Sequence, residues 1–348
     1  MQLDDLRLWL AAQGARPAHA AFVLRRWLQA LPEAHGPTRP AHYLPLALRT
    51  ALAAPESPLA ALVRERTAHP AADGSVRLLL GLRDGQSVEA VLLPRGGLCV
   101  STQVGCAVGC VFCMTGRDGL LRQLGGAEIV AQVALARRRR AVKKVVFMGM
   151  GEPAHNLEAV CEAIELLGTE GGIAHKNLVF STVGDPRVFE RLPALRVKPA
   201  LALSLHSTRA DRRAQLLPRA PRIDPAELVA LGERYARATT YPIQYQWTLL
   251  AGINDGDDEV EGIARLIAGK YAVMNLIPYN AVDGADFRRP SWERAAAIAR
   301  TLHRRGILTK LRQSAGQDVD AGCGQLRARR IVLQRPAVAF GGTATPAR

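Results

Sequence analysis

The feature that most constrains this chain is a short loop with three closely spaced cysteines. Cys106, Cys110 and Cys113 form a C-x3-C-x2-C pattern, with Gly105 and Gly109 beside the first two. Thiolates are soft ligands that suit zinc or an iron–sulfur cluster. A structural zinc site nearly always has four protein ligands, and a 4Fe-4S cluster usually has four thiolates. The pattern therefore predicts a cluster with one open iron, or a zinc site whose fourth ligand is distant.

The same loop resembles the cluster motif of the radical S-adenosylmethionine (SAM) superfamily, which has an aromatic residue, here Phe112, before its last cysteine. The resemblance implies that the three cysteines hold a 4Fe-4S cluster whose open iron binds SAM and reduces it to a 5′-deoxyadenosyl radical. The alternative is three structural thiols, because free cysteine is often buried as a small apolar residue. Three cysteines so close together, between glycines, make that alternative a poor explanation.

Composition predicts a folded protein of the cytoplasm. The chain has 348 residues, of which 48% are hydrophobic and 22% charged, as in soluble globular proteins. It has no apolar run of about 18 residues, so we expect no membrane span. The acidic start of the sequence does not resemble a secretory signal. Six cysteines in a chain of this length favour a reducing compartment over a disulfide framework.

The excess of positive charge predicts a polyanionic partner. The formal net charge is +15 and the sequence pI is about 10.2, which is typical of proteins that bind nucleic acid. The alternative is an arginine-rich composition on ordinary solvated surfaces. The candidate RNA contacts are Arg137–Arg140 with Lys143 and Lys144, Arg212–Arg222, and Arg288–Arg289 with Phe287.

Hydrophobic periodicity predicts two regions of different structure. Residues 1–70 contain short helical patterns broken by prolines, and residues 76–82 and 88–94 form two strand-like runs around an Arg-Asp-Gly-Gln turn. After the cysteine loop, strand and helix patterns alternate through about six βα units. The predicted helices lie at 127–136, 157–167, 187–192, 209–216, 225–236, 258–268 and 291–304, and the strands at 143–149, 177–182, 200–206, 243–250, 272–280 and 307–312.

This alternation predicts an α/β fold with a parallel sheet, in the form of a partial (β/α)6 TIM-like barrel. We expect a helical accessory domain at 1–75, which would be RNA-binding if the rest of the chain modifies RNA. The catalytic core would span 76–326, followed by a basic, flexible tail at 327–348. Active sites on such barrels lie at the carboxyl ends of the strands.

Polar residues recur at those predicted strand ends. A Gly-Met-Gly-Glu-Pro sequence follows the first strand of the alternating region, where glycine allows close approach of a ligand and Glu152 can pair with an ammonium. Taken alone, this sequence is equally consistent with a simple turn, and a lone histidine such as His206 with a core residue. The recurrence of polar residues at successive strand ends favours a ligand site.

Four sequence elements together resemble the RlmN/Cfr family of radical SAM RNA adenine methyltransferases. They are L-C-V-S-T-Q-V-G-C-A-V-G-C-V-F-C, G-M-G-E-P, S-L-H and D-V-D-A-G-C-G-Q-L, and the resemblance covers residues 86–326. It implies methylation of an adenine ring carbon, carbon 2 ahead of carbon 8, in ribosomal or transfer RNA. It also implies a methyl-cysteine intermediate, and we expect an electron-donating protein as partner, no membrane contact and a monomer.

The resemblance implies a role for each matching residue. Cys323 would accept a methyl group from SAM, Cys99 would form a disulfide with it to release the product, and Glu89 would accept a proton. Cys161 lies on the apolar face of a helix and is interpreted as structural. The implied cluster ligands are Cys106, Cys110 and Cys113, and the implied SAM contacts are Gly151, Glu152, Ser181, Ser204, Leu205, His206 and Asn280.

Two further functions remain open from the sequence. One is a radical SAM enzyme acting on a peptide or small molecule, and the other is a non-catalytic, zinc-bearing RNA-binding protein. Cys323 in its glycine-rich context favours RNA methylation over the former. Met114 and Gln246 stand where many members of the family have Ser and Glu, and both lie near the expected site.

Overall fold

The computed structural model describes residues 1–32, 35 and 38–328. The α-helices are α1 (Leu3–Ala12), α2 (Pro17–Gln29), α3 (Pro40–Tyr43), α4 (Leu46–Ala53), α5 (Pro58–Ala61), α6 (Gly126–Arg137), α7 (Leu157–Gly168), α8 (Pro186–Arg191), α9 (Ala210–Leu216), α10 (Pro225–Thr239), α11 (Asp257–Ile267) and α12 (Trp292–Arg304). The strands are β1 (Val63–Pro70), β2 (Val76–Leu82), β3 (Ser87–Leu93), β4 (Gly97–Cys99), β5 (Gln103–Gly105), β6 (Leu120–Gln123), β7 (Lys144–Phe147), β8 (Leu178–Thr182), β9 (Ala200–Ser204), β10 (Ile243–Leu249), β11 (Ala272–Pro278) and β12 (Thr309–Leu311).

A mostly parallel sheet organises the described part of the chain. Its strand order is β1-β2-β3-β4-β7-β8-β9-β10-β11-β12. The first three neighbouring pairs are antiparallel, and every pair from β4 to β12 is parallel. The predicted α/β fold and all six strands after the cysteine loop are confirmed. Since β1 and β12 lie at opposite edges, the sheet stays open, as a partial barrel requires.

The central strands form because their sequences suit a sheet that is covered on both faces. Residues 200–203 are all buried, as are residues 178–180, and such continuous apolar runs are typical of parallel sheets flanked by helices. Successive parallel strands all end at one edge of the sheet. The polar residues that follow them are therefore brought to that edge, as expected from the sequence.

The prediction that residues 1–70 are helical is wrong for residues 63–70. This segment is the edge strand β1, which pairs with β2 from Val63↔Leu82 to Pro70↔Val76. Its sequence, V-R-E-R-T-A-H-P, is mostly exposed and lacks an alternating apolar pattern, so main-chain hydrogen bonding decides its structure. The N-terminal helices share one hydrophobic core with α6 and the sheet. The division at residue 75 remains a prediction.

Two other expectations concern the basic tail and the absence of a membrane-spanning helix. Of the predicted basic tail, residues 329–348 lie outside the described residues, whereas Arg327 and Ala328 are described and bind Glu89. In the described ranges, every helix is too short or too polar to cross a bilayer.

Buried hydrogen bonds fix the segment that joins β4 to the cysteine loop. The Gln132 side chain of α6 accepts from the Ser101 N–H (3.0 Å) and donates to its carbonyl (2.8 Å). The Ser101 hydroxyl in turn accepts from the Met150 N–H at 2.8 Å. Gln132 and Ser101 are both fully buried, so neither backbone group of Ser101 has water as an alternative partner.

We therefore expect Gln132→Leu to destabilise the protein although it increases apolar volume. It would leave the buried N–H and carbonyl of Ser101 unpaired, at a cost of roughly 1–3 kcal/mol each in the free energy of unfolding. Urea denaturation of the variant measures this, with exposed Arg138→Gln at the C-terminus of the same helix as the control. Equal unfolding midpoints for Gln132→Leu and the wild type would contradict it.

Candidate active site

A small hairpin frames the cysteine loop. Strands β5 and β6 pair on either side of it, and the Cys106 N–H donates to the Gly119 carbonyl at 2.9 Å. Gly105 has φ +80°, and a Cβ there would lie 2.0 Å from the same carbonyl oxygen. Only glycine fits this position, so the loop begins at a fixed point. This hairpin was not predicted, because its two strands are only three and four residues long.

An apolar floor supports the three cysteines. Cys106 belongs to a buried cluster with Phe112, Val183 and Tyr279, and Cys110 and Cys113 pack against this cluster. Burial raises the pKa of the Cys106 thiol to about 12. It also raises that of Cys110, which the nearby Cys113 and Cys106 thiols raise further. Bound metal deprotonates a coordinating thiol, so the loop suits ligation better than it suits free thiolates.

The three thiols of the cysteine loop lie near one another. Besides burial, the Cys113 and Cys106 thiols both raise the pKa of Cys110, and the Cys113 thiol also raises that of Cys106. Three thiolates are one fewer than a structural zinc site nearly always has, and they would leave one iron of a 4Fe-4S cluster open, because such a cluster usually has four.

Glu152 lies buried beside the cysteine loop. Its carboxylate accepts from the N–H groups of Ala154 (3.2 Å) and Val183 (3.1 Å), and the Thr182 side chain also lowers its pKa. Burial raises its pKa to about 7 in spite of these donors. Its own N–H donates to the buried Gln103 side chain at 2.7 Å. A carboxylate that is costly to ionise gains from a cationic ligand, which agrees with the predicted SAM ammonium contact.

His206 is neutral and held in one tautomer. It is 5% exposed, and burial, with the nearby Arg213, lowers its pKa to about 3. Its Nδ1 accepts from the Thr248 N–H at 3.0 Å, so the proton of the neutral ring is on Nε2. The ring contacts Phe112 edge-on at 4.9 Å between centroids. The left-handed backbone at His206, with φ +61°, is fixed by Asn254, which donates to its carbonyl at 2.8 Å.

The other predicted SAM contacts are spread along the same sheet edge. Ser181 and Ser204 are partly exposed near the ends of β8 and β9, and Leu205 is fully buried directly after Ser204. Gly151 has φ +108°, and a Cβ there would lie 2.7 Å from Gln103. Asn280 is buried and contacts the loop that carries Cys323.

The segment that carries Cys323, residues 312–326 and here called the Cys323 loop, docks directly on the cysteine loop, residues 106–116. The Met114 N–H donates to the Gly324 carbonyl at 2.7 Å, and the Thr115 hydroxyl donates to the Leu326 carbonyl at 2.7 Å. Because the first of these bonds uses only the backbone of Met114, the departure from the family pattern there leaves the contact intact. The Gln246 side chain donates to the Gln244 carbonyl at 2.9 Å, within its own strand.

Cys99 and Cys323 are near enough for their thiols to interact electrostatically. Cys99 ends β4, and burial together with the nearby Cys323 thiol raises its pKa to about 12. The Cys323 residue is accessible to solvent. Partial removal of its thiol from water raises the pKa of Cys323, and the positive charge of Arg312 lowers it. Cys113 is also close enough to raise that pKa. Cys161 is buried in α7, as its structural interpretation requires.

Glu89 binds the chain just after the Cys323 loop. It is 3% exposed on β3, and its Oε2 accepts from the N–H groups of Arg327 (2.9 Å) and Ala328 (3.1 Å). Arg77 lies 3.4 Å from Oε1. Burial raises the pKa of Glu89 more than these partners lower it. Its position links the antiparallel extension of the sheet to the Cys323 loop.

Many arginines of the predicted basic runs bind the protein itself. Arg137 donates to the carbonyls of Leu28 and Gly171, and Arg140 donates to those of Gly74 and Leu93. Three more have protein partners: Arg139 with Glu65, Arg212 with Asp258 and Glu259, and Arg219 with the Ala107 carbonyl.

The sequence reasoning missed several residues that shape the site. Gln103, Asn254 and Arg213 are buried and bind the backbone or side chains at the strand ends. Gln103 stands in the quoted S-T-Q-V-G motif, and Arg213 in a run interpreted as an RNA contact. Arg213 and Asn254 each stand next to a charged residue in the sequence, so no local pattern marks them as buried.

The whole chain is similar to proteins described as methyltransferases. The Radical SAM superfamily matches residues 100–267. A Leptothrix cholodnii protein described as "Probable RNA methyltransferase" is 72% identical over 331 residues, 95% of each chain. A Pseudomonas aeruginosa protein of the same description is 66% identical over 331 residues, 94% of this chain and 96% of that protein. The crystal structure of a radical SAM methyltransferase from Sphaerobacter thermophilus has a TM-score of 0.83 and 36% identity, and the match covers 94% of this chain and 98% of that chain.

Replacing any one of Cys106, Cys110 and Cys113 by Ala should remove the cluster, because the loop then keeps only two of its three iron ligands. We expect loss of most of the roughly four irons per chain and of the broad visible absorbance after anaerobic reconstitution. Iron analysis and absorbance spectra measure both. Cys161→Ala, which removes another buried thiol, is the matched control and should retain its iron. A triple variant with a full complement of iron would contradict the ligand assignment.

SAM affinity should depend on pH through Glu152. The carboxylate must be ionised to attract an ammonium, so affinity should fall by roughly tenfold per pH unit below its pKa, which is about 7. The amino group of SAM stays protonated below about pH 7.7. Equilibrium binding from about pH 6 to 7.5 measures this on the cluster-loaded protein. Glu152→Gln should bind more weakly with no such dependence. An equal pH profile in that variant would remove Glu152 from the site.

Proposed function

Since the chain belongs to the radical SAM superfamily, whose members use a 4Fe-4S cluster and SAM, we propose that it is an RNA methyltransferase acting on an adenine ring carbon. Carbon 2 is the proposed position ahead of carbon 8, in ribosomal or transfer RNA. The RNA substrate is supported by the relatives described as RNA methyltransferases and by the net charge of +15.

One observation supports the mechanism most strongly, namely that the loop with Cys323 docks on the cysteine loop, where the Cys323 thiol is near enough to Cys99 to raise its pKa. An adenine ring carbon is not nucleophilic, so direct transfer of a methyl cation to it fails. A thiolate is nucleophilic and can accept the methyl group first. The cluster and SAM, when bound, supply that methyl group and a carbon radical that abstracts hydrogen.

The remaining steps, transfer of the methyl group to RNA and release of the product, are assigned to Cys323 and then to Cys99. The Cys323 thiol loses its proton and becomes a methyl thioether, so its negative charge is neutralised by the new carbon–sulfur bond. After the methyl carbon has bonded to the adenine, Cys323 is joined covalently to RNA. Cys99 then loses its proton and forms a disulfide with Cys323 as the bond between the Cys323 sulfur and the methylene carbon breaks. The electron pair of the broken bond stays on that carbon, which takes up a proton and becomes the methyl group on the adenine. The disulfide must be reduced before another turnover, which requires an electron-donating protein.

Glu89 is proposed to take up the proton that leaves the adenine carbon. Its buried carboxylate has a raised pKa, which makes it a stronger base than an exposed glutamate. Its hydrogen bonds to Arg327 and Ala328 hold it near the segment that carries Cys323. We further propose that the protein is a cytoplasmic monomer.

The alternatives are a radical SAM enzyme for another substrate and a zinc-bearing RNA-binding protein. The match of residues 100–267 to the Radical SAM superfamily weighs against the second. Against the first stand the relatives' descriptions and the second cysteine beside Cys323, which an enzyme that forms no protein–substrate adduct does not need.

Replacing Cys323 and replacing Cys99 should block the reaction at different steps. Cys323→Ala has no acceptor, so we expect no methyl-cysteine and no modified RNA. Cys99→Ala can still accept a methyl group and attack RNA but cannot release it, so a covalent protein–RNA species should accumulate. Denaturing gels with and without nuclease detect this adduct in protein purified from cells that contain the RNA.

The double variant provides the control, because Cys323→Ala should abolish the adduct formed by Cys99→Ala. Two structural cysteines would give two destabilised proteins without an adduct. Cys99→Ala that retains its cluster but purifies free of RNA would refute the mechanism with two thiols. Mass mapping of the attached nucleotide would identify the modified adenine and its carbon.

A further inference from the structure

Arg289 connects three segments around the Cys323 loop. Its Nε donates to the Tyr279 carbonyl at 2.7 Å. Its terminal nitrogen donates to the Asn280 side-chain oxygen at 2.9 Å and to that of Gln317 at 3.2 Å. The planar guanidinium thus bridges the end of β11 and the segment that leads to Cys323. A single ammonium could not contact these three acceptors in the same way.

The contact with Arg289 fixes which way the Asn280 amide points. A guanidinium can only donate, so the amide oxygen must face Arg289 and the amide nitrogen must face the opposite direction. That nitrogen donates to the Ser314 hydroxyl at 2.8 Å and to the Cys323 carbonyl at 3.0 Å. Both N–H groups of a buried side chain are therefore committed to the Cys323 loop. Any contact of Asn280 with SAM would have to use its oxygen.

The Cys323 loop has little freedom on this side. A Cβ on Gly322 would lie 2.7 Å from the Gln325 side chain and 2.8 Å from the Asn280 amide nitrogen. Gln325 accepts from the Gly322 N–H at 3.0 Å and donates to the Ala281 carbonyl at 3.1 Å. On its other side the loop is bound to the cysteine loop. The Cys323 loop is therefore held on two sides, and Arg289 acts on the side where Asn280 binds it.

We propose that Arg289 is a positioning residue for Cys323, which it orients through the Asn280 amide for transfer of the methyl group. This inference rests on the proposed function, in which the Cys323 sulfur attacks a methyl carbon held by bound SAM. The carbon–sulfur bond to Cys323 forms as the bond to the SAM sulfonium breaks, and the thiol proton goes to solvent. Such a displacement requires a precise line of attack, which a freely moving loop would lose.

The neighbouring arginine offers a matched comparison. Arg288 is also exposed and positively charged, and it stood with Arg289 among the candidate RNA contacts. A role in RNA binding predicts similar effects of Arg288→Met and Arg289→Met, limited to RNA affinity. Positioning of Cys323 predicts an effect of Arg289→Met alone, in a step that precedes RNA binding.

The experiment measures methylation of Cys323 without RNA in the cluster-loaded protein. The rate is followed by mass spectrometry of the Cys323 peptide over a range of SAM concentrations. For Arg289→Met we expect the rate at saturating SAM to fall roughly 10- to 100-fold. The half-saturating SAM concentration, the cluster absorbance and the circular dichroism should stay unchanged. Arg289→Lys should recover part of the rate, and Arg288→Met should match the wild type.

Two results would overturn the proposal. One is an unchanged saturating rate in Arg289→Met, and the other is a loss confined to the half-saturating SAM concentration, which would assign Arg289 to SAM binding. If Arg289→Met does not fold, Arg289→Lys is judged by the same criteria.

Failure of the proposed function gives a different result, namely a wild-type Cys323 that is never methylated. In that case the rate of Cys323 alkylation by iodoacetamide tests the orientation of the loop. It should change several-fold in Arg289→Met but not in Arg288→Met, and equal rates in all three proteins would refute the positioning role.

Discussion

The site depends on one contact between two loops that are some 200 residues apart. Hydrogen bonds from Met114 and Thr115 to the Gly324 and Leu326 carbonyls seat the Cys323 loop on the cysteine loop. Without this contact Cys323 would be separated from the cluster ligands and from Cys99, all of which lie between residues 99 and 113. Because the Met114 bond uses the backbone, the contact tolerates a change of side chain there while its geometry stays fixed.

Burial sets the electrostatics around this contact. Glu152 and His206 are both removed from water at the strand ends, and desolvation shifts their pKa values in opposite directions, each toward the neutral form. A site of this kind is poorly solvated before its ligands arrive. Ligand charges therefore decide which protonation state is stable, and a cationic group beside Glu152 restores the charge that burial opposes.

The arginines of this chain serve the structure more than their number suggests. Arg137 and Arg140 each donate to two main-chain carbonyls of segments that are distant from them in the sequence. Arg213 and Arg289 also donate to main-chain carbonyls around the site. Net charge remains an argument for an anionic partner, but a run of arginines in the sequence does not by itself locate the surface that binds it.

The sequence by itself determined the alternation of strands and helices and the three cysteines of the loop, because hydrophobic periodicity and ligand spacing are local properties. The edge strand β1 and the hairpin around the cysteines could not be predicted, since main-chain pairing with distant or very short partners stabilises them. The resemblance to a family suggested Cys99, Cys323 and Glu89. Only the tertiary structure brought them to one place, and only it decided that Asn280 and Arg289 hold the Cys323 loop, because those contacts join residues that no local pattern connects.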